Sequence, residues 1–239
     1  MEWLTDQKIP IGKWAAGLFD WLQTHGAWFF DGLSEAMEAL IDGILWVLQT
    51  PHPLIVVAAF AALTYLLQRS WKPTVLIALG FLFILNQGYF EETTESLTLV
   101  LSACVVCMGV GVPIGIAAAH RPKLYQVMRP ILDLMQTLPT FVYLIPAIVF
   151  FGIGMVPGLI ATVIFVLPAP IRLTHLGVTS TPQPLLEAAQ AFGATPRQTL
   201  WKVERPYALP QIMTGLTQTI MLSLSMVVIA ALVGADGLG

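Results

Sequence analysis

The chain has 239 residues, 56% of them hydrophobic and 10% charged, with a formal net charge of -3. Soluble domains carry about 25% charged residues, so too few polar groups are present to cover a globule in water. Composition excludes a soluble globule, the lack of a basic cluster excludes nucleic-acid binding, and the long apolar stretches predict an all-α, polytopic membrane helix bundle.

The start, Met1-Glu2-Trp3-Leu4-Thr5-Asp6, lacks the basic-then-apolar order of a cleavable signal. The first membrane span is therefore expected to act as its own insertion signal. The first 50 residues hold seven acids and two bases. From Phe30 to Leu48 the apolar residues Phe30, Leu33, Met37, Leu40, Ile41, Ile44 and Leu48 share one helical face. Asp31, Glu35, Glu38 and Asp42 share the opposite one. A second, shorter amphipathic helix is expected through Trp14, Leu18, Trp21 and Leu22. Residues 1–50 thus read as an amphipathic region outside the membrane core. Such helices lie in the interface plane; the competing reading is a surface helix packed on the bundle.

Residues 51–239 form the expected transmembrane domain. A bilayer core takes about 20 apolar residues per helix, which places spans near 51–68, 73–90, 96–119, 130–153, 157–176 and 207–235. Arg69 and Lys72 lie between the first two spans, and Arg121, Lys123 and Arg129 between the third and fourth. Arg172, Arg197, Lys202 and Arg205 lie at or within the fifth connection. These alternate loops hold nine of the eleven Lys and Arg residues, while Glu91, Glu92 and Glu95 fall on the other side. Basic loops stay cytoplasmic, so the N-terminus is expected outside and the fifth loop inside.

Cys104 and Cys107, spaced C-x-x-C, read as two small apolar residues on one face of a membrane helix rather than as a redox pair. Pro139 and Pro146 interrupt the fourth span, and Pro168 and Pro170 the fifth. Broken helices in lipid point either to a translocation pathway or to a packing kink. Asp133, Arg172 and His175, at the cytoplasmic ends of their spans, read as end-of-helix charges, with a gate or proton relay as the sharper alternative.

The fifth connection, about residues 177–205, carries its own punctuation. Thr181-Pro182 is expected as an N-cap with proline at the first helical position. Gly193 is expected to stop the short helix that follows. Thr195-Pro196-Arg197-Gln198 is a capping box that starts a second helix, expected to end before Pro206, where the sixth span begins. Two short helices joined at a glycine and held at a membrane face make a docking element for another protein.

The run Glu187-Ala188-Ala189-x3-Gly193-x9-Val203-x-Arg205-Pro206 resembles the EAA loop of binding-protein-dependent ABC importer permeases. That pattern ends in I-x-L-P, so Val203 is a mild change and Arg205 replaces a leucine; Arg205 is expected to snorkel or to pair with Glu204. The run from Asp133 through Gln136, Thr137, Pro139, Phe141 and Tyr143 to Pro146 is similar to permeases for glycine betaine, proline betaine and choline. So are Phe151-Gly152-Ile-Gly154, Arg172-Leu-Thr174 and the run from Met221 to Ala230.

The resemblance implies a type I importer permease with a MetI-like fold in a bacterial inner membrane, with a periplasmic N-terminus. It also implies a further family helix beyond Gly239 that this chain does not show. Two copies would form the pore, with two ATP-binding subunits and a periplasmic substrate-binding protein. ATP and Mg would sit on the ATPase, and no cofactor, metal or catalytic residue on this chain. Glu187, Ala188, Ala189, Phe192, Gly193, Val203 and Pro206 would couple to the ATPase. Gln136, Thr137, Pro139, Phe141, Tyr143 and Pro146 would line the pathway, the two aromatics touching a quaternary ammonium in passage. A secondary transporter is the alternative, but it has no use for a loop of this kind.

Overall fold

The structure is a computed structural model that describes residues 11–239, so the expectations resting on residues 1–10 and on the Leu18 side chain fall outside the described residues. It is helical throughout: α1 Ile11–Gln49, α2 Pro53–Gln68, α3 Trp71–Gln87, α4 Phe90–His120, α5 Pro122–Thr137 and α6 Phe141–Phe151. These are followed by α7 Met155–Val166, α8 Pro168–Thr179, α9 Gln183–Ala191, α10 Pro196–Thr199, a π-helical turn Leu200–Glu204 and α11 Arg205–Ala231.

The N-terminal region forms one helix of 39 residues rather than two. Its apolar face is the expected one: Ile41 and Leu48 are buried, whereas Asp31, Glu35, Glu38 and Asp42 are exposed. Ile41 packs with Ala103, Val156 and Leu159, and Leu48 with Val56 and Phe90. Phe30 stacks on Phe150 at 4.3 Å between ring centroids. Burying that apolar stripe against α4, α6 and α7 favours the packed reading of this helix.

α1 and α2 meet at 97° across Pro51-His52-Pro53. The prolines remove backbone donors there, and the His52 ring accepts the Leu54 N–H instead, at 3.3 Å. α2 and α3 pack as a hairpin. They have 16 and 17 residues, and at about 1.5 Å per residue each is shorter than a typical bilayer core. Three helices are long and apolar enough to cross a membrane alone: Phe90–His120, Met155–Thr179 and Pro196–Ala231. The bent pairs α1–α2 and α5–α6 bring the number to five, and the shorter apolar helix α3 lies where the remaining span, 73–90, is expected.

The two proline pairs behave differently. α5 and α6 meet at 96°, with Leu138 and Thr140 at the corner, so the span expected near 130–153 is a sharp elbow. α7 and α8 instead form one 25-residue span. Pro168 sits at the first position of α8, where its missing N–H costs little, so the expected break is only a joint.

The core of the bundle is α4, α8 and α11. Small residues set its spacing: a Cβ on Gly115 would lie 2.7 Å from the Ile171 carbonyl and from Thr174 Cβ. Only glycine permits so close a crossing of α4 and α8. Thr98 donates to the Thr94 carbonyl at 2.7 Å and Thr219 to Gly215 at 2.8 Å, each within its own helix, whereas the buried hydroxyls of Ser102, Thr174 and Ser223 have no hydrogen-bond partner among the described residues. Cys104 and Cys107 are buried free thiols on α4, consistent with their apolar reading. No group of metal-ligating side chains occurs among the described residues.

Candidate coupling and translocation site

The connection from α8 to α11 departs from its expected form at both ends. Thr181 does not cap α9. Its buried hydroxyl has no hydrogen-bond partner among the described residues, and Pro182 takes the N-cap place in extended backbone. The reason is local: Thr181 N–H still donates to the Val178 carbonyl at 3.2 Å, which keeps the residue in the closing turn of α8.

The middle matches its signals. Gly193 has φ +74, the left-handed region that glycine adopts without a Cβ penalty. Its N–H donates to Gln190 at 2.9 Å and the Ala194 N–H to Ala189 at 3.0 Å, closing α9. Both bonds of the capping box at Thr195 and Gln198 are present.

α10 does not stop before Pro206; helix runs unbroken from Pro196 to Ala231. A proline ring clashes with the carbonyl four residues back, here that of Lys202. The turn just before it widens to π geometry, with Arg205 N–H donating to Leu200. Widening relieves that crowding without ending the helix. The second loop helix is thus the first part of the last long span, and a displacement of α10 is a displacement of α11.

The expected coupling residues cluster on the outer surface of this element. Glu187 and Ala188 are exposed, and Ala189 is half-buried. Glu187 is bonded within its own helix, accepting from Gln183 at 3.3 Å. Phe192 is 92% exposed, an isolated aromatic at the tip of a polar loop. Val203 is half-buried within the π turn, and Pro206 is exposed. Arg205 does not pair with Glu204: its guanidinium lies 4.4 Å from the Trp201 ring centroid, the geometry of a cation–π contact. Glu204 is buried and approaches His120, at the end of α4, to 2.9 Å. A cavity of about 200 Å³ lies between α9, α10 and His120.

The expected pathway residues surround the α5–α6 elbow. Gln136 is half-buried, Thr137 and Pro139 are exposed, and Phe141 is 56% exposed. Tyr143 is withdrawn. It is buried, and its hydroxyl stands within donating distance of the Leu134 and Met135 carbonyls, 3.2 and 2.9 Å away. The Leu134 carbonyl still accepts the Leu138 N–H at 3.2 Å, but the Met135 carbonyl faces Pro139, which has no N–H, so Tyr143 supplies the donor that the missing helical turn would have given it. Pro146 and Tyr143 line a wholly apolar cavity of about 380 Å³ shared with Phe30 of α1.

The same end of the bundle holds two contacts between α5 and α8. Arg172 donates to Asp133 at 2.6 Å, and the His175 ring stacks on Tyr125 at 3.6 Å. Asp133, Arg172 and His175 were individually visible in the sequence. Their partners were not, because they lie on different helices. His120 was missed entirely: a histidine at a helix end has no signal until the π turn sets Glu204 opposite it.

An all-α membrane bundle with bent spans, carrying a structured two-helix loop that runs into its last long helix, is the architecture of a type I ABC importer permease. The chain belongs to the family of binding-protein-dependent transport system inner membrane components, whose model matches residues 111–239. It is 45% identical over 236 residues to the glycine betaine transport system permease protein OpuAB of Bacillus subtilis, covering 97% of this chain and 82% of that one. It is 42% identical to the glycine betaine/carnitine transport permease protein GbuB of Listeria monocytogenes, covering 97% and 83%. To the glycine betaine/proline betaine permease protein ProW of Escherichia coli it is 40% identical, spanning 65% of that protein's length. Among solved structures it resembles a chain of the inward-facing MetNI methionine ABC transporter. The TM-score is 0.57 at 26% identity, over 63% of this chain and 76% of that one.

Proposed function

We propose that this chain is the permease subunit of an ATP-driven importer for quaternary ammonium compounds, with glycine betaine as its foremost substrate and proline betaine and choline in the same class. The permease class follows from the family; the substrate reading draws on the names of its relatives. Two copies of the chain enclose the pathway, with Gln136, Thr137 and Phe141 facing it from the elbow. Two ATPase subunits bind beneath, and a periplasmic binding protein delivers substrate. ATP binding and hydrolysis belong to the ATPase. The N-terminus is periplasmic and the α9–α10 loop cytoplasmic, a reading that the distribution of Lys and Arg supports.

The observation that carries coupling is the form of that loop. α9 offers Glu187 and small alanines for close approach, and Phe192 stands 92% exposed with no neighbour to cover it. An exposed aromatic anchor flanked by small residues fits a groove on a partner. Because α10 continues into α11, force applied to the loop enters the bundle directly. ATP drives transport only if it favours one permease conformation over the other, and the loop is where that difference is delivered.

The test is reconstitution of the chain with its ATPase and binding protein in vesicles. Glycine betaine uptake should require ATP, and unlabelled proline betaine or choline should compete. Uptake that persists without an ATPase subunit and after ATP depletion would instead identify a secondary transporter.

A further inference from the structure

We propose that Glu204 and His120 form the strut that carries movement of the α9–α10 loop into α4, and so set how much transport each ATP yields. This rests on the coupling role of the loop proposed above and adds to it two residues outside the EAA pattern.

Glu204 is the only buried charged residue among those described, with 9% of its surface exposed. It sits in the π turn, at the point where loop helix becomes membrane span. Its buried Oε2 lies 2.9 Å from His120 Nε2, yet has no hydrogen bond among the described residues. The two groups are at ion-pair distance without the alignment of a hydrogen bond. The other ring nitrogen, Nδ1, lies 2.9 Å from the Ile116 carbonyl, which fixes the imidazole to the last turn of α4.

With Nδ1 donating to Ile116, the ring can donate to Glu204 only when Nε2 also carries a proton, and a small movement that aligns that N–H with the carboxylate strengthens the contact. The contact therefore has a different free energy in different loop positions, as a conformational coupling needs. Room for the movement exists, since the cavity of about 200 Å³ has His120 and Glu204 on its wall with Leu186 and Gln190 of α9.

The surroundings make this the polar link between loop and bundle. α9 and α10 pack on each other and on the π turn. The end of α4 is held to α11 by apolar packing of Ile116 and Ala119 around Ala208 and Ile212. α4 then runs 31 residues to Phe90 at the acidic end. A push at His120 enters the last turns of α4, with Pro113 inside the helix as the place where it can bend.

The experiment uses the reconstituted complex, with radiolabelled glycine betaine as probe, and measures ATP hydrolysed and substrate taken up in the same vesicles. In Glu204→Gln and in His120→Gln the ATPase should still co-purify in full amount and hydrolyse ATP near the unaltered rate. Uptake per ATP should fall about fivefold or more, within the usual range of coupling between sites. The double variant His120→Glu/Glu204→His should recover part of that loss, which a residue with only a folding role would not do. An unchanged ratio of uptake to ATP in both single variants overturns the strut, and so does a loss of assembly and hydrolysis in equal proportion. Failure of the coupling role itself has a different signature: Glu187→Lys would assemble with the ATPase and transport normally.

Discussion

At the scale of single residues, two side chains expected to share a task are separated by the structure. Phe141 is largely exposed, whereas Tyr143 is buried and bonded to the ends of α5. Tyr143→Phe should therefore lower stability by about 1–3 kcal/mol, the cost of leaving the Met135 carbonyl without a donor. A thermal melt of the detergent-solubilised protein reads that loss. Phe141→Ala should leave the melt unchanged and alter uptake, if its ring meets the substrate; normal uptake in that variant removes Phe141 from the pathway. Periodicity could not divide the two, because both fall within one apolar run. The division comes from the elbow, which turns residue 143 back under α5. Gly193 was legible for the opposite reason: left-handed backbone at a helix end is a local demand that its own sequence position announces. Gly193→Asp and Glu187→Lys should uncouple ATP hydrolysis from uptake while membrane insertion stays intact, and normal transport in either would displace the docking assignment.

At the scale of elements, the long apolar runs and their proline interruptions were readable, but the consequences of the prolines were not. Pro139 marks a 96° elbow, Pro168 a mere joint in a 25-residue span, and Pro206 a π turn inside a continuous helix. The ring chemistry is the same each time. What differs is whether nearby backbone and side chains can satisfy the freed carbonyls without reorienting the chain, and that depends on partners distant in sequence. The helix–helix spacing was equally hidden. Gly115 gives no signal in an apolar run rich in glycine, yet a Cβ there would meet backbone at 2.7 Å. Because a carbonyl cannot yield as a flexible side chain can, Gly115→Val should push α4 and α8 apart at a cost of several kcal/mol, toward the upper end of the usual overpacking range of about 1–3 kcal/mol. Reduced yield of folded protein, with Gly80→Val as a control in open space on α3, is the measurement. Equal yields for the two would show that the α4–α8 crossing is looser than its geometry.

At the scale of the whole molecule, direction matters more than contacts. The basic residues of the α4–α5 junction and of the loop lie at one end, tied by His120 to Glu204 and by Arg172 to Asp133. The acids Glu91, Glu92 and Glu95 begin α4 at the other end. A helix of 31 residues at about 1.5 Å per residue is long enough to separate these groups across a bilayer, so the charge bias predicts one orientation for the entire bundle. The orientation expected from sequence needs both α2 and α3 to cross, the shorter apolar helix α3 returning the chain to the side it left. Single cysteines introduced at exposed Arg69, Phe192 and Tyr89, in a background lacking Cys104 and Cys107, test this arrangement with a membrane-impermeant maleimide. In intact cells only the Tyr89 position should react, with the other two reacting after the inner face is opened. Reaction at position 192 from outside would invert the bundle and take the docking loop away from any cytoplasmic ATPase. Reaction at position 69 as well as at position 89 would keep the loop inside and show that the α2–α3 hairpin does not carry residue 69 across the membrane.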